Sequence, residues 1–122
     1  MNLVSKLIKK SNPSFISVSK YGTGIGVTGT NPYTISQGSP VPNAWTESTY
    51  TQNKGQDGNV VVQSQPSQTN TYIMFGLTRT PGASYTAIEY ALYWAADGLI
   101  YIYESGTNIG TFGTYTTAHK GT

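Results

Sequence analysis

Acid–base, thiol and metal chemistry draw on carboxylates, cysteines and histidines. This chain has few of them: five acids, one histidine and no cysteine in 122 residues. Without thiols there is neither a disulfide nor a thiolate metal site. The lone His119 argues against zinc, and nothing reads as a nucleophile triad. Calcium needs several clustered oxygen ligands, and the acids are spread along the chain, so no obligatory metal and no cofactor are expected. Asp57 and Asp97 each precede a glycine, where Asp is favoured for turn geometry. Glu89 and Glu104 are the candidate carboxylate pair. Retaining glycoside hydrolysis needs two carboxylates about 5–5.5 Å apart. As diagonal neighbours across a hairpin, these two are expected at about 7–8 Å. A solvated sheet end is the plainer reading, and no catalytic residue is assigned. The glycines of Tyr21-Gly22-Thr23-Gly24-Ile25-Gly26 match a dinucleotide fingerprint only superficially. That mechanism needs a helix directly after the loop, and Thr30-Asn31-Pro32 follows instead.

The stronger functional candidates are aromatic. Tyr90, Trp94, Tyr101 and Tyr103 fall within a single hairpin pattern, Ile88 to Phe112. Asp97-Gly98 sits between two β-prone arms and favours a type I′ turn. That turn would place Ala96 opposite Leu99, Trp94 opposite Tyr101 and Leu92 opposite Tyr103. Side chains alternate along a strand. One face would then hold Tyr90, Leu92, Trp94, Ala96, Leu99, Tyr101 and Tyr103. The other would hold Glu89, Ala91, Tyr93, Ala95, Ile100, Ile102 and Glu104. Flat rings stack on the apolar faces of sugars, while Tyr, Asn and Gln supply hydrogen bonds. Buried aromatics also build cores, and Tyr and Trp are enriched at protein interfaces. Core, glycan groove and protein-binding face all remain open for this ladder.

At 122 residues the chain reads as one domain with a modest core. Charged residues are only 10%, well below the usual quarter; Ser, Thr, Asn, Gln and Gly carry the polarity. Low charge with ten tyrosines suits close self-association. The net charge of +2 rests on Lys6, Lys9 and Lys10. No basic stripe of the kind a nucleic-acid binder carries lies beyond them. No transmembrane run is present. The start is too interrupted by lysines to read as a signal peptide. An external location would therefore require another exit route, such as cell lysis, or a leader already removed.

Residues 1–12 predict a short amphipathic helix, with Leu3, Val4, Leu7 and Ile8 at helical spacing and Asn12-Pro13 as its stop. It would serve as a lid over its own sheet, as a docking peptide on a neighbour or, least favoured, as a membrane-surface anchor. Residues 13–44 form an N-terminal arm, with a strand at Phe15–Lys20 and a Pro/Gly-rich loop over 31–43. Residues 45–122 form the core. Strands are predicted at Trp45–Thr51, Val60–Gln63, Tyr72–Thr78, the two hairpin arms and Ile109–Thr116. Turns fall at Asn53–Asn59, Thr80–Ser84 and Ser105–Asn108. This pattern is all-β, an antiparallel sandwich with one short helix.

From about Trp45 to Tyr115 the chain resembles a concanavalin A-like jelly-roll module of bacterial surface proteins and phage fibres. The resemblance lies in Ala44-Trp45, Gly58-Asn59-Val60-Val61-Val62, Tyr72-Ile73-Met74-Phe75-Gly76-Leu77, Ala83 to Tyr93, Asp97-Gly98, Tyr101-Ile102-Tyr103-Glu104 and Gly106 to Gly113. It implies a lectin-like sandwich and, loosely, glycan contact. The glucanase-type enzymes of that fold carry Glu, Asp and Glu alternately on one strand; Glu89, Ala91 and Tyr93 stand here. Such modules usually continue with further strands. Against that pattern, the sandwich would be closed by its own arm or, as slightly preferred, by a neighbour adding a strand to an open edge.

The expectation is a non-catalytic structural or adhesive subunit of a virion, fibre or cell surface. It would associate with itself through edge strands and aromatic faces, and bind no nucleic acid. A monomeric carbohydrate-binding module is the alternative, and a glycoside hydrolase relative the weaker one.

Overall fold

A computed structural model describes residues 18–29, 33–38, 44–51 and 62–122. Among these the protein is all-β and antiparallel, with one 3-10 turn at Tyr85–Ala87. Strands β1 (Val18–Tyr21) and β4 (Ser48–Thr51) form one two-stranded sheet, and β2 (Ile25–Thr28) and β3 (Thr34–Gln37) form another. The main sheet has four strands in sequence order: β5 (Ile73–Leu77), β6 (Tyr90–Trp94), β7 (Leu99–Glu104) and β8 (Thr107–Thr114). The expected helix, with Leu3, Val4, Leu7 and Ile8, lies outside the described residues, as does the Asn53–Asn59 turn.

Several boundaries differ from expectation. The predicted loop over 31–43 contains β3. There the β-branched Thr34 and Ile35 extend between two prolines, and Ile35 is buried opposite Val27. Trp45 precedes its strand, since β4 begins at Ser48. Of the strand expected at Val60–Gln63, Val60 and Val61 lie outside the described residues; Gln63 and Ser64 each form a bridge, Ser64 with Gly121. The glycine run is a bend between β1 and β2; no helix follows it, and the Gly24 amide donates to Glu47 Oε1 at 2.9 Å.

The central hairpin forms, but in another register. The Gly98 amide donates to Ala95 O at 3.0 Å, and the Ala95 amide donates to Leu99 O at 3.1 Å. The loop therefore holds three residues, with Gly98 left-handed at φ 81°. This is a type I turn closed by a glycine bulge, not a type I′ turn. Asp97 supplies the reason. Its Oδ1 accepts the Leu99 amide two residues on, at 2.9 Å, and such an Asx bond holds Asp97 itself in an ordinary turn conformation. Only Gly98 then takes positive φ. The type I′ turn lies one hairpin later, where Ser105 and Gly106 have φ 47° and 82° and Glu104 pairs with Thr107.

The extra loop residue slips β7 by one position, so that Trp94 faces Ile100, Tyr93 faces Tyr101, Ala91 faces Tyr103 and Tyr90 faces Glu104. Because the strand period is two, a one-residue slip exchanges every β7 side chain between faces. The first face now carries Ile73, Phe75, Leu92, Trp94, Ile100 and Ile102. Its centre is dry: Ile73, Phe75, Trp94 and Tyr115 are buried, with Val62, Leu92 and Ile100 packed around them. Each such large side chain contributes about 1.5–3 kcal/mol when fully buried. The indole N–H of Trp94 donates to Ser64 Oγ at 3.0 Å, and the Tyr115 hydroxyl donates to Ala95 O at 2.8 Å. The side-chain polar atoms of Trp94, Ser64 and Tyr115 are thus paired, as burial requires. Ser64 and Gly121 exchange both backbone hydrogen bonds, at 2.8 and 2.9 Å, which straps the C-terminal segment over this core.

Two substitutions test this arrangement. A Cβ on Gly121 would lie 2.7 Å from the Trp94 ring and 2.8 Å from Phe75. Gly121→Val is therefore expected to destabilise by about 1–3 kcal/mol, read by urea unfolding followed through Trp94 fluorescence. Ser105 holds a left-handed conformation that costs an ordinary residue roughly 1–2 kcal/mol and that Asn tolerates better. Ser105→Asn should raise the melting temperature by a few degrees; a lower value would count against the type I′ assignment.

Candidate functional site

The slip assembles a different aromatic surface on the second face. Alternation places Met74, Ala91, Tyr93, Tyr101 and Tyr103 there, with Tyr72 just before β5 on the same side as Met74. Trp45 arrives from the segment before β4, and Tyr85 from the 3-10 turn. Tyr93 is the hub. Its ring centroid lies 5.9 Å from Trp45, 6.1 Å from Tyr72, 5.8 Å from Tyr101 and 5.5 Å from Tyr103. Tyr85 extends the cluster, 5.6 Å from Trp45 and 6.2 Å from Tyr103. Met74, Ile88 and Ala91 are buried beneath these rings. The rings themselves are half-buried, and Tyr72 is 42% exposed. Tilted and edge-to-face contacts at these distances each contribute about 0.5–1.5 kcal/mol beyond area burial, so the cluster is braced while its upper surface stays wet.

Polar groups lie at one margin. The Tyr101 hydroxyl donates to Asp97 Oδ2 at 2.6 Å. Asn108 and Thr111 of β8 stand opposite Tyr103 and Tyr101 and are exposed. The hydrogen bond from Tyr101, aided by the Leu99 amide, holds the Asp97 carboxyl below its ordinary value of 3.8. The same bond pushes the Tyr101 phenol up. Burial raises the Tyr93 phenol far above its ordinary 10.0, with Tyr103, Tyr72, Asp97 and Tyr101 adding electrostatically. Burial also raises Tyr115.

The four residues expected to form one ladder do not share a face. Trp94 is 1% exposed in the opposite core and Tyr90, also on that side, is 59% exposed, whereas Tyr101 and Tyr103 belong to the tyrosine face. Glu89 and Glu104 are likewise separated. Glu104 pairs with Tyr90, so Glu89, one residue earlier, alternates to the other side. Glu89 accepts the Arg79 amide at 3.0 Å and meets the Arg79 guanidinium at 3.3 Å; it holds a loop. His119 also serves a turn, its Nδ1 accepting the Thr116 amide at 2.8 Å. Among the described residues no three His, Cys, Asp or Glu side chains are grouped to hold a metal. Sequence reasoning missed Trp45, Tyr72, Tyr85 and Tyr93. Reading Asp97-Gly98 as a three-residue loop would have joined Tyr93 to Tyr101 and Tyr103. Trp45 and Tyr85 arrive from outside the strands, where no periodicity marks them.

Compared with protein-family models, curated proteins and solved structures, the chain finds no match.

The phenol shifts fix a pH dependence. A phenol whose folded pKa lies above its unfolded value contributes stability that is complete below the unfolded value and falls as pH rises beyond it. Stability should therefore decline above about pH 10, the ordinary tyrosine value. Tyr93→Phe should flatten that decline in urea unfolding measured from pH 8 to 11. An unchanged slope would mean that Tyr93 does not carry it.

Proposed function

We propose that this chain is a non-catalytic structural or adhesive β module that works by contact through its tyrosine face, at a virion, fibre or cell surface. The observation that carries the reading is the braced cluster around Tyr93, whose rings rest on a buried floor yet remain partly exposed. Large rigid rings lose little conformational freedom on binding, which suits a contact surface. The reading includes a jelly-roll-type sandwich. It is supported by a main sheet packed on its Trp94 side and met on its other side by Trp45, from the segment leading into β4.

An edge strand is the weaker contact. β8 is eight residues long and carries neither charge nor proline, but its pairing with β7 breaks register twice. Such irregularities blunt an edge against strand addition. The hydrolase reading loses support as well, since Glu89 and Glu104 point to opposite sides. Two kinds of partner fit the face. Sparse charge favours a second copy of the chain, while the polar margin at Asp97, Asn108 and Thr111 favours a glycan.

Sedimentation velocity up to high micromolar concentration, run beside retention on immobilised polysaccharides, tests the proposal. The wild-type chain is expected to show one or the other. Tyr72→Ala combined with Tyr101→Ala should weaken it at least tenfold with the β-sheet circular dichroism unchanged. A wild-type chain that neither associates nor is retained would sink the contact reading.

A further inference from the structure

We infer that the tyrosine cluster is a one-electron oxidation site. Tyr101 is where the oxidising equivalent comes to rest, Asp97 takes its proton, and the product is a carbon–carbon cross-link to Tyr101 of a second chain. The inference is independent of the contact reading above, because it needs only encounters between oxidised chains.

Oxidation of a tyrosine is governed by its proton. A phenol that has lost an electron is a strong acid, and the neutral radical forms readily where a base stands within hydrogen-bond reach. Tyr101 has such a base. Its hydroxyl donates to Asp97 Oδ2 at 2.6 Å, in the short range of bonds from a hydroxyl to a charged oxygen. The bonds that Asp97 accepts from Tyr101 and the Leu99 amide hold its carboxyl below the ordinary value, so it is ionised near neutral pH. Among the described residues no other ring of the cluster donates to a carboxylate. Tyr115, in the opposite core, donates to the Ala95 carbonyl, which is too weak a base to keep a proton.

The other rings feed this site. The Tyr93 centroid lies 5.9 Å from Trp45, 6.1 Å from Tyr72, 5.5 Å from Tyr103 and 5.8 Å from Tyr101. Tyr85 joins through Trp45 and Tyr103. Electrons cross ring contacts of this length readily, so an electron lost from one ring is replaced from its neighbour. Tyr93 is enclosed by four rings and donates to no described carboxylate, so it passes the vacancy on. The vacancy settles on the ring whose proton can leave.

The chemistry balances as follows. One electron passes from Tyr101 to a one-electron oxidant, such as the ferryl haem of a peroxidase or a ruthenium(III) complex, and the hydroxyl proton moves to Asp97 Oδ2. Tyr101 is only half-buried, so a second chain reaches its ring. Two such radicals on two chains join at the ring carbons ortho to the phenol oxygens. The hydrogen on each joined carbon then shifts to oxygen, which restores both phenols. Two electrons and two protons are lost for the one bond formed.

Photo-oxidation of the full chain with ruthenium tris(bipyridine) and persulfate tests this. Dityrosine fluorescence and dimer bands give the yield, and mass spectrometry gives the position. Exposure alone would favour Tyr90, at 59%, and Tyr72, at 42%; the expected cross-links map to Tyr101 instead. Tyr101→Phe should lower the yield at least fivefold, and Tyr90→Phe by less than twofold. Asp97→Asn keeps a turn-forming side chain but loses the base, and should lower the yield at least threefold. Wild-type oxidation should be slower in heavy water, because the proton moves with the electron, and Asp97→Asn should lose most of that slowing, which a merely structural Asp97 would not control. Should that variant lose its β-sheet circular dichroism, loss of the slowing in Tyr101→Phe decides in its place. Cross-links that follow exposure, an unchanged yield in Tyr101→Phe, or a folded Asp97→Asn variant that cross-links like the wild type overturn the inference.

Discussion

A single short-range bond governs the layout of the main sheet. The Asp97 carboxylate accepts the Leu99 amide, which keeps Asp97 in an ordinary turn conformation and leaves Gly98 alone to turn left-handed. The loop thereby holds three residues rather than two. That one residue decides which β7 side chains meet Trp94 and which meet Tyr93. Everything at the candidate site follows from it, because alternation admits only two arrangements. The other oxygen of Asp97 then accepts the Tyr101 hydroxyl at 2.6 Å, so the group that sets the register also orients a ring of the face it creates.

The two faces divide the work of the sheet. On one, Trp94 and its neighbours are fully buried and their polar atoms are paired with Ser64 and Ala95. That side is core, and its aromatics contribute stability. On the other, only the lower layer of Met74, Ile88 and Ala91 is sealed. The rings above it are supported mainly by one another. Solvent reaches them, yet their mutual contacts restrict their motion. A sealed core and a partly exposed aromatic surface are thus built on opposite sides of the same four strands. The pairing of Trp94 with Ile100 instead of Tyr101 keeps the two aromatic sets from mixing.

Scarcity of charge runs through the same molecule. With 10% charged residues, three of the four acids among the described residues are committed locally: Glu47 to the bend after β1, Glu89 to Arg79, and Asp97 to its own turn. Contacts made by such a surface depend on rings, hydroxyls and amides, which salt screens weakly. The long β8 edge is left without charged gatekeepers, and its two register breaks take over the role that charge plays elsewhere.

The residue pattern alone determined that this is an antiparallel β protein, that a hairpin turns at Asp97-Gly98, and that β5 is apolar. These follow from local preferences: β-branched and aromatic runs extend, and glycine with aspartate turns. The all-β class and the approximate positions of the main-sheet strands were legible at that level. Tertiary structure decided the register, the role of Trp45, the strand inside the 31–43 segment and the membership of each face. Asp-Gly fits both a two-residue and a three-residue loop, and the Asp97–Leu99 bond that selects the longer one is kept because both faces of the sheet then bury their apolar side chains. Trp94 suits the dry side because Ser64, far away in sequence, can accept its indole N–H. The separation of Glu89 from Glu104 has the same origin, since no spacing along the chain records the side to which a strand turns its residues until its partner is known.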